Sequence, residues 1–222
     1  MKLVQIIDLF KSFQQGELQI QALRGLSMDM EEGEFSALVG PSGSGKTTLM
    51  NCLGALDRPD RGSIQVGIQR LGELKQNELS DFRLHQIGFV FQAYNLLPVL
   101  TALENVEYVL ILQGVQKKER MQRAKQILSD VGLADLGDRF PRQLSGGQQQ
   151  RVAVARALVS RPRIVLADEP TANLDSENTG RLLDIMEEMC DRYQTAFLFS
   201  THDDRVVQRA RRVILLKDGQ VQ

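Results

Sequence analysis

Gly40-Pro41-Ser42-Gly43-Ser44-Gly45-Lys46-Thr47 is the stretch that decides the fold class, because it fits the P-loop pattern GxxxxGK[ST]. Glycines in such a loop let backbone amides close around phosphate oxygens, and the dipole of the following helix adds to the attraction. Lys46 is the expected cation for the β and γ phosphates of ATP, the Thr47 hydroxyl is an expected Mg²⁺ ligand, and Thr48 belongs to the same nucleotide-binding stretch. A plain glycine-rich turn is the competing reading. The flanks argue against it: Phe35–Val39 is a short apolar run of buried-strand type, and the residues after Lys46 read as a helix.

Outward from the loop, similar apolar runs occur at Ile87–Phe91, Ile164–Ala167, Ala196–Phe199 and Val213–Leu216, separated in several places by helical segments. That pattern predicts a parallel sheet with helical crossovers. Leu3–Leu9 and Ser27–Met30 read as strands, with a turn at Gln14-Gln15-Gly16-Glu17 between them. The middle of the chain, about residues 93 to 160, reads as helical. Thr101-Ala102-Leu103-Glu104 and Ser145-Gly146-Gly147-Gln148 are capping boxes, the second opening a helix through Leu158. Lys117–Val131 places Met121, Ala124, Ile127 and Leu128 at helical spacing. With no repeat or Pro-rich linker, residues 1–222 form a single expected domain: 1–92 and 161–222 as an α/β core, 93–160 as a helical insertion.

Composition narrows the function. The 222 residues carry 27 Lys and Arg against 28 Asp and Glu, a net charge of −1, which supplies no general field for nucleic acid. Trp is absent and aromatics are 5%, which argues against base-stacking platforms. Arg205, Arg209, Arg211 and Arg212 read as a solvated helix face. Cys52 and Cys190 have no metal-type spacing, and two lone thiols without a signal peptide fit a reducing cytosol. No apolar stretch approaches the roughly 20 residues needed to cross a bilayer, so membrane work would need another chain.

Ile164-Val165-Leu166-Ala167-Asp168-Glu169 supplies the second half of a phosphate site. Asp168 ends a buried apolar strand, where a carboxylate is costly without a cation, and Mg²⁺ through water is the natural partner. Glu169 is then placed to orient or deprotonate an attacking water. Leu144-Ser145-Gly146-Gly147-Gln148-Gln149-Gln150-Arg151 starts a Ser-capped, Gly-rich helix, an anion receptor in a chain that already has a P-loop.

These eight residues resemble the signature sequence of the ABC (ATP-binding cassette) ATPases, and the likeness extends over essentially the whole chain. It implies an α/β fold with a P-loop NTPase (RecA-like) core, an N-terminal antiparallel β subdomain and an inserted α-helical signature subdomain. It also implies ATP and Mg²⁺ as cofactors. A second copy of the chain would join head to tail, so that Ser145, Gly146, Gly147 and Gln148 of each cap the other's γ-phosphate. By the same resemblance Gln92 is the Q-loop residue, a catalytic group and metal contact that couples to the membrane partner. Asn173-Leu174-Asp175 is similar to the D-loop, with Asp175 at the nucleotide interface, and His202 in Ser-Thr-His-Asp matches the switch histidine. His85 gets a structural reading. Phe13 falls where the family stacks an aromatic ring on adenine, although Phe10 lies nearby.

Within the family, Phe89-Val90-Phe91-Gln92-Ala93-Tyr94-Asn95-Leu96-Leu97-Pro98 and Leu100–Val106 resemble the LolD/MacB group, as does the hairpin containing Gly16-Glu17. The implied role is ATP-driven work on an integral membrane permease from the cytoplasmic face, for lipoprotein, macrolide or peptide-type export or envelope mechanotransmission. A division-associated ATPase similar to FtsE is the alternative. Two departures stand out: Ala172 where Gly is usual before the D-loop Asn, and Gln148 where Glu is common. Leu96, Leu97, Val99 and Leu100 suit either a docking surface or packing within the insertion.

Overall fold

The computed structural model describes residues 2–16 and 18–222, so Glu17 of the predicted turn lies outside the described residues. In chain order the elements are β1 (Lys2–Gln15), β2 (Leu18–Glu31), β3 (Phe35–Val39), α1 (Lys46–Leu53), β4 (Arg61–Val66), β5 (Gln69–Arg70), α2 (Gln76–Gln86), β6 (Ile87–Phe91), α3 (Ala102–Leu112), α4 (Lys117–Asp130), α5 (Gly146–Leu158), β7 (Ile164–Asp168), α6 (Ser176–Tyr193), β8 (Ala196–Ser200), α7 (Asp204–Arg209), β9 (Arg212–Lys217) and β10 (Gln220–Val221).

The apolar runs become one sheet of order β10-β9-β3-β8-β7-β6, in which all pairs are parallel except the β9–β10 edge. Why the runs lack alternation is visible in their packing. Along β7, Ile164 and Leu166 face one core while Val165 and Ala167 face the other; along β8, Ala196 and Leu198 oppose Phe197 and Phe199 in the same way. Both faces are covered, so both must be apolar. The first core packs Phe35, Phe197 and Phe199, with ring centroids 4.5 to 5.8 Å apart, under α3, α4, α5 and α6. The second packs Leu38, Leu49, Leu53, Leu166 and Leu198 against β1, β2 and β4. Those strands form an antiparallel sheet of order β2-β1-β4-β5.

α3, α4 and α5 lie between β6 and β7. Both capping boxes form: Thr101 N donates to Glu104 Oε2 at 2.8 Å, and Ser145 N donates to Gln148 Oε1 at 2.8 Å. α4 buries Ala124, Ile127 and Leu128 as its spacing predicts. Met121 differs: it is half-buried and lines an open groove with Leu100, Leu103, Tyr108 and Ile111. The hairpin is longer than the predicted strands because Gln14 and Gln15 continue β1, paired with β2, instead of turning. The arginine cluster is not one helix face, since α7 ends at Arg209 and Arg212 opens β9. Each of its arginines meets acid: Arg205 with Asp203, Arg209 with Asp184 and Glu187, Arg211 with Asp191, and Arg212 with Asp29 and Glu34. Among the described residues no helix is long and apolar enough to cross a membrane.

Candidate functional site

Four parallel strands deliver the candidate residues at one edge, the carboxyl ends where open α/β sheets bind ligands. β3 runs into the P-loop, β6 into Gln92, β7 into Asp168 and Glu169, and β8 into His202. The register aligns three of these ends in one row, Phe91 with Asp168 and Asp168 with Ser200.

The P-loop is braced from behind. A Cβ on Gly40 would fall 2.0 Å from the Leu216 carbonyl oxygen, and one on Gly45 would fall 2.6 Å from that of Ala22. Gly45 also has φ 105, a conformation that glycine alone adopts without strain. Gly219 N donates to Ser44 O at 3.0 Å, so the β9–β10 turn carries the loop. Lys46 Nζ donates to Gly40 O at 2.6 Å and Pro41 O at 3.1 Å, which holds the ammonium inside the loop. Pro41, Ser42 and Gly43 form its exposed rim, and Ser44 Oγ is buried with no hydrogen-bond partner. A glycine cradle, a tethered cation and an orphaned hydroxyl fit a polyphosphate. Thr47 and Thr48 follow in the first turn of α1.

Glu169 and His202 meet: His202 Nδ1 lies 2.8 Å from Glu169 Oε1, with the imidazole exposed and the carboxylate mostly covered. Glu169 has φ 47, left-handed for a non-glycine residue, and its amide donates to Ser200 O at 2.9 Å. The adjoining loops are tied to this pair. Thr171 Oγ1 donates to Asp203 Oδ2 at 3.0 Å, and Asn173 Nδ2 donates to the Gln92 carbonyl at 2.9 Å. Hydrogen bonding from Arg205 holds the Asp203 carboxyl below its ordinary range. Asp175 caps α6, accepting from Asn178 N at 2.8 Å, and that amide lowers its pKa. Thr47, Asp168 and Gln92 carry a hydroxyl, a carboxylate and an amide, hard oxygens of the kind that would suit Mg²⁺ completed by phosphate and water.

The start of α5 is exposed at Ser145, while Gly146 and Gly147 are closed on their inner sides. A Cβ on Gly146 would lie 2.9 Å from the Tyr94 hydroxyl, and one on Gly147 would lie 2.7 Å from Asn178 Oδ1. Phe13 is 42% exposed on β1, with Lys11 Nζ 5.2 Å from its ring centroid. Phe10 is instead packed against Gly25. Of the two rings, only Phe13 is free to stack on a base.

Comparison with known proteins decides the family. The ABC transporter family model matches residues 23–172. The chain belongs to the ABC transporter family. An uncharacterized ABC transporter ATP-binding protein of Thermotoga maritima is 44% identical over the whole chain and 94% of its own length. The macrolide export ATP-binding/permease protein MacB of Escherichia coli K12 is 42% identical over 99% of this chain, which spans only 34% of that relative. A dimeric, post-hydrolysis ATP-binding cassette with ADP and Pi superposes with TM-score 0.90 at 41% identity, covering 99% of this chain and 96% of its own. This ABC subunit binds nucleotide and hydrolyses ATP.

Two residues that hold the stretch after Gln92 escaped the sequence reading. Asn105 is fully buried; its amide accepts from Leu97 N at 2.8 Å and donates to the carbonyls of Leu97, Leu100 and Thr101 at 2.9 to 3.1 Å. Arg156 donates to Tyr94 O at 2.9 Å and Asn95 O at 2.5 Å. Tyr94 and Asn95 both have positive φ, 58° and 50°. Burial pushes the Tyr94 hydroxyl pKa up and the Arg156 guanidinium pKa down. Asn95, a residue type that tolerates left-handed φ, is a local signal that could have marked such a corner.

Proposed function

We propose that this ATPase energises a separate integral membrane permease by closing head to tail with a second copy of itself around two ATP molecules. The observation that carries this reading is the exposed, Ser145-capped start of α5, a second phosphate receptor in a chain whose P-loop already supplies one. Each α5 terminus then serves the γ-phosphate held on the other subunit's loop, so the interface is isologous and closes at two copies. Lys46 neutralises the β and γ phosphates and Phe13 stacks on the base; Thr47, Asp168 and Gln92 would hold Mg²⁺, which would screen phosphate charge. Glu169 takes a proton from the attacking water as the water oxygen bonds to the γ-phosphorus and the bond to ADP breaks. His202 orients Glu169 through the 2.8 Å contact and reaches the γ-phosphate.

The permease-facing surface is the stretch from Gln92 into α3. Leu96 packs against the core and Leu100 is half-buried, but Val99 is 78% exposed, and Leu97, Tyr108, Ile111 and Leu112 are exposed around the groove at Met121. The likeness to MacB supports export of lipoprotein, macrolide or peptide-type cargo, or envelope mechanotransmission, from the cytoplasmic face of the membrane. The relatives described above do not favour the division-type alternative over this reading.

The Glu169→Gln protein tests the dimer. Light scattering is expected to show monomer without nucleotide or with ADP and dimer with Mg-ATP, and adding Ser145→Arg is expected to abolish that dimer. A Glu169→Gln, Ser145→Arg protein that dimerises as well as its parent would refute the role of α5.

A further inference from the structure

Gln150 sits two residues past Gln148 on the inner side of α5, and no role above uses it. Its side chain is completely buried. Nε2 donates to the Pro170 carbonyl at 2.7 Å and lies 3.5 Å from that of Phe91, while Oε1 has no partner. Pro170 directly follows Glu169, and Phe91 directly precedes Gln92. One amide from the helix that starts at Ser145 thus reaches the ends of both β7 and β6.

The unpaired Oε1 shows which half of the amide matters. A buried polar atom without a partner costs about 1–3 kcal/mol, so an apolar side chain would fill this space at lower cost unless the N–H donor were needed. The donor meets a segment with few other handles. Glu169 is held at φ 47, a left-handed conformation that persists only where surrounding contacts over-determine it. Its amide is fixed by Ser200 O and its carbonyl accepts from Ala172 N at 3.2 Å. Pro170 has no N–H to offer, so its carbonyl is the one backbone group of that residue that can be hydrogen-bonded.

We propose that Gln150 is a positioning residue for ATP hydrolysis, holding the Pro170 carbonyl so that the Glu169 carboxylate stays aimed at the phosphate site. This rests on the reading of Glu169 as the base. It also makes the helix that receives one nucleotide the brace for the carboxylate that acts on the other.

Gln150→Met keeps the side chain's length and removes the donor. In full-length protein, the carbonyl left unpaired at Pro170 is offset by removal of the unpaired Oε1, so the variant's melting temperature is expected to stay close to the parent, ATP affinity and KM for ATP to stay unchanged, and kcat to fall about tenfold. Gln150→Glu restores a donor only while its carboxyl is protonated, and burial against two carbonyl oxygens raises that pKa. Its rate relative to the parent at the same pH is therefore expected to be highest in acid and to fall towards the Met variant as pH rises. A Met variant with parental kcat overturns the proposal, and so does a Glu variant no faster than Met at any pH. A Met variant that no longer folds reassigns Gln150 to packing, which also overturns it. Glu169→Gln assayed alongside separates the two readings: parental turnover there removes the base assignment, whereas an inactive Glu169→Gln with an active Gln150→Met removes only the positioning role.

Discussion

Arg156→Met tests whether the corner after Gln92 is held from α5. The guanidinium forks across two successive carbonyls, those of Tyr94 and Asn95, at 2.9 and 2.5 Å. Hydrogen bonds to a charged group contribute about 1.5–3 kcal/mol each. One effect reduces the sum on removal: Asn95 is exposed, so water replaces its lost donor and the Tyr94 bond is the net loss. That loss is about 2 kcal/mol, and for a chain of this length each kcal/mol lowers Tm by about 2–4 °C, so a fall of about 4–8 °C is expected. Arg156→Lys, with a point charge that cannot fork, is expected to lose about half as much. Thermal melting followed by far-UV circular dichroism measures both. An Arg156→Met Tm within about 1 °C of the parent would show that the corner is held by something else, with Asn105 the next residue to test.

Lys46→Ala removes the cation tethered at Gly40 and Pro41 and is expected to weaken ATP binding by about 10- to 100-fold in a fluorescence titration with Mg²⁺; unchanged affinity would remove Lys46 from the site. Phe13→Ala is expected to lose about 1–3 kcal/mol of stacking with adenine while inorganic triphosphate binds as before, so equal losses for both ligands would refute the stacking role. Because Arg205 depresses the folded-state pKa of Asp203, the carboxylate stabilises the fold above the unfolded pKa of about 3.9, and that contribution disappears as pH falls through the lower folded value. Asp203→Asn should therefore flatten the decline of Tm below about pH 4, and a variant with the parental acid slope would show that the pair adds nothing.

The parallel sheet was legible because its inner strands β7 and β8 had to be apolar on both faces, which leaves an unbroken run such as Ala196–Phe199. The hairpin and second sheet were less so. The outer half of β1, from Phe10 to Gln15, pairs with β2 but its described side chains beyond Leu9 are half-buried or exposed, so hydrophobicity does not mark it. α2 buries only Leu79 and Phe82, too few to set a helical period over its length.

The candidate site divides in the same physical way. The P-loop, Asp168-Glu169, the start of α5 and His202 are contiguous motifs whose own backbone does part of the chemistry. Asn105, Arg156 and Gln150 instead grip backbone carbonyls, at Leu97, at Tyr94 and Asn95, and at Pro170. A carbonyl is present at every position whatever the side chain, so the accepting partner leaves no trace in the sequence.

The two departures from the family pattern show what such contacts tolerate. Ala172 raises a doubt about the D-loop backbone only if that position needs positive φ. Glu169 adopts it three residues earlier, and Ala172 does not. Its amide closes a turn onto Glu169 O at 3.2 Å, a bond that either residue makes. Gln148 completes the capping box with its amide oxygen 2.8 Å from Ser145 N, the bond a glutamate would also form. What the amide avoids is a carboxylate in the first turn of α5. Acid there favours the helix dipole of an isolated subunit, but it would stand beside the γ-phosphate that this terminus is proposed to receive. A neutral cap keeps the helix start intact and leaves its positive end for the ligand.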